Sequence, residues 1–242
     1  MKQAVVTGAS GGIGSAIARR LASDGLAVTV GYNSATDKAE ALVAEMGGAP
    51  HTAAHLPITD SESLAAFAAS SGPIDVLVNC AGVTRPVAHD DLDALDDELI
   101  DWIFQTNWRG PFACIRALRP ALEQATDGAV VVNISSVSAV TGQGSNVAYC
   151  ASKAALDSMT RSLARALGPS IRMVSVSPGW VLGEYASRMP AEIIDTQRNQ
   201  TPLHRLATPE DVGAAVSAVV NDLPFTTGSV VPVDGGRPLG TT

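Results

Sequence analysis

An α/β fold, with a doubly wound parallel sheet of seven strands and helices on both faces, is what this sequence predicts, on three observations. Short Val/Ile/Ala-rich runs alternate with 3.6-period patterns from end to end, the signature of βαβ units around a buried sheet. The first run leads directly into a glycine-rich turn that opens a helical pattern. The 242 residues suffice for one α/β domain with a well-buried core, and no Pro/Ser-rich linker, repeat or low-complexity segment divides them. We therefore expect one domain over 1–242.

Taken in order, the strands are expected at Gln3–Thr7, Ala27–Tyr32, His51–Leu56, Asp75–Asn79, Ala129–Ile134, Ile171–Val176 and Ser229–Val233. Helical periodicity covers Ile13–Ser23, Ala35–Met46, Ser61–Ala69, Asp97–Gln124, Ala148–Leu167 and Pro209–Val220. Thr59 and Glu62 have capping-box spacing, and Thr208 places a cap before a first-turn proline, Pro209. The segment Glu184–Leu203 lacks clean periodicity and contains Pro190 and Pro202; it reads as a mobile substrate lid or as a plain surface insertion.

Composition removes several function classes. Net charge is −8, from 24 acidic and 16 basic side chains, so a nucleic-acid partner is not expected. No apolar run reaches the ~18 residues of a membrane span, and Lys2-Gln3 leads straight into a strand without a signal peptide. Cys80, Cys114 and Cys150 are widely spaced and form no CxxC, which suits reduced thiols in the cytoplasm. His51, His55, His89 and His204 show no ligand spacing. The acidic run His89–Glu98 reads as a solvated loop whose last carboxylates favour a helix N-terminus, and no metal site is expected.

The chemistry concentrates between Asn133 and Lys153, where an apolar strand crosses a Gly/Ser-rich loop into a helix. Tyr149 and Lys153 are four residues apart, so a helix sets their Cβ atoms roughly 5–6 Å apart on one face. A free tyrosine has a pKa of about 10, and a nearby ammonium lowers it. Ser136 can bring a hydroxyl to the same point. A donor, a proton carrier and a cation converging at a sheet's carboxyl edge describe a carbonyl-reducing site. Cys150 beside Tyr149 points elsewhere on the helix and is read as packing. Asn107, among apolar neighbours in a helical pattern, is either a structural hydrogen-bonding group or part of the site.

The turn Thr7-Gly8-Ala9-Ser10-Gly11-Gly12-Ile13-Gly14 sits where a phosphate-binding fingerprint belongs, although its Gly8, Gly12, Gly14 spacing is one residue longer than GxGxxG. Glycines admit a pyrophosphate close to the backbone, and the helix N-terminus offers free N–H groups. The second strand ends Gly31-Tyr32-Asn33-Ser34, without the carboxylate that holds an unphosphorylated ribose. That end tolerates a 2′-phosphate, with Lys38 within reach if the loop folds back, and favours NADPH/NADP over NADH/NAD. Asn79, Ala81 and Gly82 end the fourth strand, where Gly82 allows close approach to a cofactor.

Together the Thr7–Gly14 loop, Asn79-Cys80-Ala81-Gly82, Asn107, Ser136, Tyr149, Lys153 and Pro178-Gly179 resemble the short-chain dehydrogenase/reductase family, in its 3-oxoacyl-(acyl-carrier-protein) reductase-like branch. The resemblance runs from Val5 to Gly236 and implies a Rossmann fold, a nicotinamide cofactor and a homotetramer packed through the helices around Asn107 and Tyr149. It implies that Tyr149 protonates the carbonyl oxygen, Ser136 hydrogen-bonds it, Lys153 holds the nicotinamide ribose and Asn107 supports a proton relay. Cofactor contacts are then expected from Gly8, Ser10, Gly12, Ile13, Gly14, Asn33, Ser34, Ile58, Asn79, Ala81, Gly82, Tyr149, Lys153, Pro178, Gly179 and Val181. Ser136, Ser138, Gln143, Tyr149 and Trp180 should meet the substrate, with Val147, Arg85 and Glu184 on bordering segments.

Four positions depart from the family pattern. Pro57 stands where an adenine-contacting Asp is common, leaving backbone contact from Ile58, and Gly183 where a threonine is common. Asp127 and Ser170 replace arginines typical of members that dock an acidic carrier, which discourages such docking in a −8 chain. The expected reaction is hydride transfer between NADPH and a ketone or secondary alcohol: a 3-oxoacyl thioester, a polyketide-type ketone or a small cyclic ketone. An NAD-dependent sugar or alicyclic alcohol dehydrogenase and a non-catalytic dinucleotide sensor are the alternatives.

Overall fold

The computed structural model describes residues 1–183 and 186–239. Its strands β1 (Gln3–Thr7), β2 (Ala27–Tyr32), β3 (Thr52–His55), β4 (Val76–Asn79), β5 (Ala129–Ile134), β6 (Ile171–Pro178) and β7 (Ser229–Val233) form one sheet, ordered β3-β2-β1-β4-β5-β6-β7. Every neighbouring pair is parallel. The helices are α1 (Gly12–Ser23), α2 (Thr36–Met46), α3 (Ser61–Ser70), α4 (Asp97–Phe104), α5 (Gly110–Leu122), α6 (Ser138–Thr141), α7 (Val147–Leu167), α8 (Ala191–Asn199) and α9 (Pro209–Asn221).

Consecutive strand residues face opposite sides, and here both sides are covered. Val6, Val78, Val132 and Val174 pack with Ile17 and Leu21 of α1 and Val212 and Val216 of α9. Their sequence neighbours Val5, Leu77, Val131 and Met173 pack with Leu64, Leu118, Leu122 and Leu156 of α3, α5 and α7. Each fully buried Leu or Ile contributes about 1.5–3 kcal/mol, so both layers are needed to hold the sheet. The order reverses between β1 and β4, and the crevice at that switch point is where a doubly wound sheet binds its ligand.

Several local expectations need correction. The single helix expected over Asp97–Gln124 is broken by a π turn, Gln105–Arg109, between α4 and α5. α3 is not capped by a Thr59–Glu62 box; Asp60 is its N-cap and accepts from the amides of Glu62 and Ser63. Two carboxylate oxygens serve this cap better than one hydroxyl, and Asp60 also takes the Ser63 hydroxyl at 2.7 Å. The Thr208 cap forms as expected, completed by Asp211 rather than by a Glu or Gln. Asp96 caps α4, with Asp97 and Glu98 in its first turn, as the acidic run suggested. The aperiodic segment before Leu203 contains α8, whose residues are all at least partly exposed and so carry no apolar face for periodicity to report. Among the described residues no helix is long and apolar enough to cross a membrane.

Candidate active site

At the switch point Thr7 ties two strand ends together. Its hydroxyl accepts from the amides of Cys80 (3.1 Å) and Ala81 (3.2 Å), just beyond β4. This brings Ala81 so close to Gly8, at φ +64°, that a Cβ there would lie 2.7 Å from the Ala81 Cα. Gly14 is equally constrained: a Cβ would sit 2.4 Å from the Gly8 carbonyl oxygen. At Gly12 a Cβ meets nothing within 4 Å, because that position faces open space at the start of α1. α1 has no side-chain cap and no acidic residue in its first turn, so its amides and positive dipole end are left for an anion.

The space they face is a cleft of about 1610 Å³ along the carboxyl edge of the sheet. Gly8, Ser10, Gly12, Ile13, Gly14, Asn33, Ser34, Ile58, Ala81, Gly82, Ser136, Ser138, Gln143, Tyr149, Lys153, Pro178, Gly179, Trp180 and Val181 all line it. Asn79 and Asn107 do not. Asn79 lies inside the sheet, donating to Asn133 at 2.8 Å, and Asn133 passes the chain on to Thr160 at 2.8 Å. Val147 and Arg85 are also outside the lining; Arg85 turns to the Ala94 carbonyl and Asp96. Glu184 lies outside the described residues.

Asn107 is fully buried in the π turn, whose extra residue swings its amide out of helical register toward two other elements. Its oxygen accepts from the Val83 amide (2.8 Å), and its nitrogen donates to the Val83 carbonyl (2.9 Å) and the Ser152 hydroxyl (3.1 Å). Asn107 thus clamps the segment after β4 to α7, one turn from Tyr149 and beside Lys153.

α7 starts where Asn146, itself fully buried, accepts from the Tyr149 amide at 2.7 Å. The same side chain donates to the Arg85 carbonyl at 2.8 Å, so the cap also fixes the helix to the loop after β4. Nothing in the spacing singled out Asn146 beyond its place before a helix; the cap preference was the available signal. Lys153 lies inside, with Nζ donating to the Ile134 carbonyl at 2.7 Å and 5.8 Å from the Tyr149 ring centroid. Burial pushes its ammonium down to about 8. Cys80 also faces it, but burial pushes that thiol up to about 12, so it is neutral there. Asp157, one turn on, is then the charge that favours the ammonium. Ser136 donates to the Ser138 hydroxyl at 3.1 Å and accepts from the Ser138 amide at 3.2 Å, which holds its Oγ at the cleft wall.

The residues therefore suit a dinucleotide: close-packed glycines, an uncapped helix end, an uncharged β2 terminus and a buried lysine lie along one cleft. Its described wall carries no Asp or Glu, and its cations are Lys153 and Arg237. Sequence reading stopped short of Arg237, Gln197 and Gln200 in this wall, because they sit on short, aperiodic segments.

A family model described as enoyl-(acyl carrier protein) reductase matches residues 8–237. Over 240 residues the chain is 36% identical to a Streptomyces violaceoruber protein described as granaticin polyketide synthase ketoacyl reductase 2, covering 98% of this chain and 96% of that one. It is 33% identical to the 3-oxoacyl-(acyl-carrier-protein) reductase FabG of Staphylococcus aureus, with 97% of each covered. It is 35% identical to the cis-4-hydroxycyclohexanecarboxylate dehydrogenase of Sinomonas cyclohexanicum, with 96% of this chain and 95% of that one covered. A crystal structure from Burkholderia xenovorans, described as a short-chain dehydrogenase/reductase, superposes with a TM-score of 0.90 at 31% identity over 99% of both chains. The chain belongs to the short-chain dehydrogenase/reductase family of NAD(P)-dependent oxidoreductases.

Proposed function

We propose that this protein interconverts a ketone and a secondary alcohol using NADPH, with Tyr149 as the proton donor to the carbonyl oxygen. The convergence of Ser136, Tyr149 and Lys153 on one cleft carries the reading. The cofactor, when bound, supplies the hydride. Gly8, Ser10, Gly12, Ile13 and Gly14 hold its pyrophosphate, Asn33 and Ser34 its adenosine ribose, and Pro178, Gly179 and Val181 border its nicotinamide. With substrate bound, Ser136 turns its single hydroxyl proton from Ser138 to the carbonyl oxygen and fixes that oxygen near the Tyr149 hydroxyl. Lys153 favours the phenolate left on Tyr149 after proton transfer, and Asn107, which holds the backbone beside both, keeps that geometry and supports the return of a proton. The uncharged Asn33-Ser34 end favours NADPH, since a carboxylate there would repel a 2′-phosphate.

The ketone is taken to be small and free, an alicyclic or short acyl compound, because Asp127 and Ser170 offer no basic docking surface for an acidic carrier. The assembly is taken to be a cytoplasmic homotetramer packed through α5 and α7. Half-buried Trp108 and Phe112, stacked at 6.0 Å with Arg116 over the Phe112 ring, suit such contact, whereas Leu118 is wholly inside the core. The residues 184–203 are taken as the substrate lid.

Steady-state oxidation of NADPH and NADH with a free cyclic ketone and with a short 3-oxoacyl thioester, using Tyr149→Phe as the blank, tests the reading. NADPH-preferring turnover that vanishes in the mutant is the expected result. Tight NADPH binding with no turnover of any ketone would leave a dinucleotide sensor instead.

A further inference from the structure

We infer that the wall formed by Arg237 and α8 is a subsite for a carboxylate on the substrate, so that the protein acts on ketones or alcohols that are also acids. Arg237 begins the last turn of the described chain, Arg237–Leu239, and lines the cleft. Its Nη1 is buried without a hydrogen-bond partner, and the guanidinium forms no ion pair among the described residues. Burial depresses its affinity for its proton, and no carboxylate offsets this. From α8, Gln197 lines the same cleft, and its Oε1 is also buried without a partner. Unpaired buried polar atoms are costly, and two of them belong to residues on different elements that line one cleft, which marks a place where a small side-chain shift lets a ligand complete them. The segments carrying them are joined, as the Leu203 amide donates to the Gly235 carbonyl at 3.2 Å.

The position selects the substrate rather than the cofactor. Gly8 lies above β1 and Asn33 above β2, whereas Ser136 follows β5 and Arg237 follows β7. At about 4.8 Å between strands, Arg237's strand lies roughly 19 Å from the pyrophosphate loop's strand and about 24 Å from β2, but only about 10 Å from that of Ser136. The link is direct: the Val137 amide donates to the Pro178 carbonyl at 3.0 Å, and Gly179 abuts Asp234, where a Cβ would lie 3.0 Å from the Asp234 Cα. A guanidinium one short molecule away from the carbonyl site, with no acidic residue in the described wall, fits a carboxylate that accepts two parallel N–H bonds. A carboxylate brings no donor for Gln197 Oε1, so Gln197 meets it through the other end of its amide, Nε2, after the side-chain amide turns over. Trp102, Val140, Trp180, Leu182 and Leu239 line the same cleft and offer apolar surface to the body of such a substrate.

The inference rests on the ketone/alcohol reading above, and its test separates the two. The probes are 4-oxocyclohexanecarboxylate, its methyl ester and cyclohexanecarboxylate, a carboxylate that cannot be reduced. The wild type should reduce the acid with a higher kcat/KM than the ester, and Arg237→Met should lower that acid-to-ester ratio about ten- to a hundredfold. Arg237→Lys, which keeps a charge without the fork, should fall between. Retained NADPH protection against thermal unfolding shows that the variants fold. In parallel, calorimetry on the NADPH-loaded wild type should detect cyclohexanecarboxylate binding that Arg237→Met loses. Ketone turnover with no acid preference, or a ratio unmoved by Arg237→Met, overturns the subsite and leaves the activity standing. Carboxylate binding through Arg237 without turnover of any ketone overturns the activity and leaves the subsite. A loss of NADPH affinity or a change of oligomeric state in Arg237→Met, with the ratio intact, assigns the guanidinium to the cofactor or to a second copy and overturns the proposal.

Discussion

The two ends of the cleft are built on opposite principles. Over β1 and β4 the surface is backbone, packed until no further atom fits: Gly8 against Ala81, Gly14 against the Gly8 carbonyl, Thr7 saturated by two amides. Over β6 and β7 it is side chain, and Arg237 and Gln197 keep buried polar atoms unpaired. The first end suits a ligand common to many proteins, whose pyrophosphate needs only amides and room. The second is left incomplete, so its affinity depends on what the substrate brings. Between them Tyr149 and Lys153 stand on a helix whose start is tied by Asn146 and Asn107 to the loop after β4.

The largest effect should come from the middle of this arrangement. Tyr149→Phe should cost about 10²–10⁴ in kcat, roughly 3–5 kcal/mol, while the Kd for NADPH from fluorescence titration stays near the wild-type value. Equal losses in binding and turnover would mean that the two ends are not separable. Gly14→Ala attacks the backbone end: a Cβ 2.4 Å from a carbonyl oxygen must displace the loop, at a cost of about 3 kcal/mol or more in urea unfolding, with cofactor binding lost.

Lys153 gives a pH signature. Its folded pKa of about 8 lies below its ordinary 10.5. Between those values the unfolded chain holds a proton that the native state has lost, so this group's contribution to unfolding free energy should rise with pH across that window. Catalysis should move the other way, because the ammonium that favours the phenolate is lost: kcat/KM should decline above about pH 8. A flat profile to pH 9.5 would remove Lys153 from its proposed role.

Smaller changes sharpen the contrast within the backbone end. Asn33→Asp should weaken NADPH about tenfold, ~1.4 kcal/mol, and leave NADH little changed, by repulsion of a 2′-phosphate. Gly12→Ala should alter stability by less than about 0.5 kcal/mol, since its Cβ meets nothing within 4 Å, yet weaken cofactor binding by filling the space a phosphate needs. A stability loss as large as that of Gly14→Ala would show that the loop is constrained throughout.

Much was written locally. β-branched runs buried on both faces announce a parallel sheet, and four strands appear with the expected bounds because each begins or ends at a residue that breaks the run. Tyr149 and Lys153 on one helix face, and the glycine loop at the mouth of β1, were legible because both depend on spacings of a few residues. Other features depended on chain folded from far away. Asn107's partners are Val83 and Ser152, 24 and 45 residues distant, and the π turn that aims it leaves no mark in periodicity. Asn79, at a strand end that suggested a cofactor contact, gives its amide nitrogen to Asn133 in the neighbouring strand, a pairing set by sheet register, and keeps its Oδ1 buried without a partner. Arg237 reaches the cleft because it follows β7, whose end lies beside the residue after β6, with the Gly179 amide donating to the Val233 carbonyl at 3.0 Å. Sequence by itself determined the class of fold, the phosphate loop and the Tyr–Lys pair, through short-range spacing and burial pattern. Tertiary structure alone decided which polar side chains were satisfied and which were left facing the cleft, because hydrogen-bond partners are chosen by proximity in space and not along the chain.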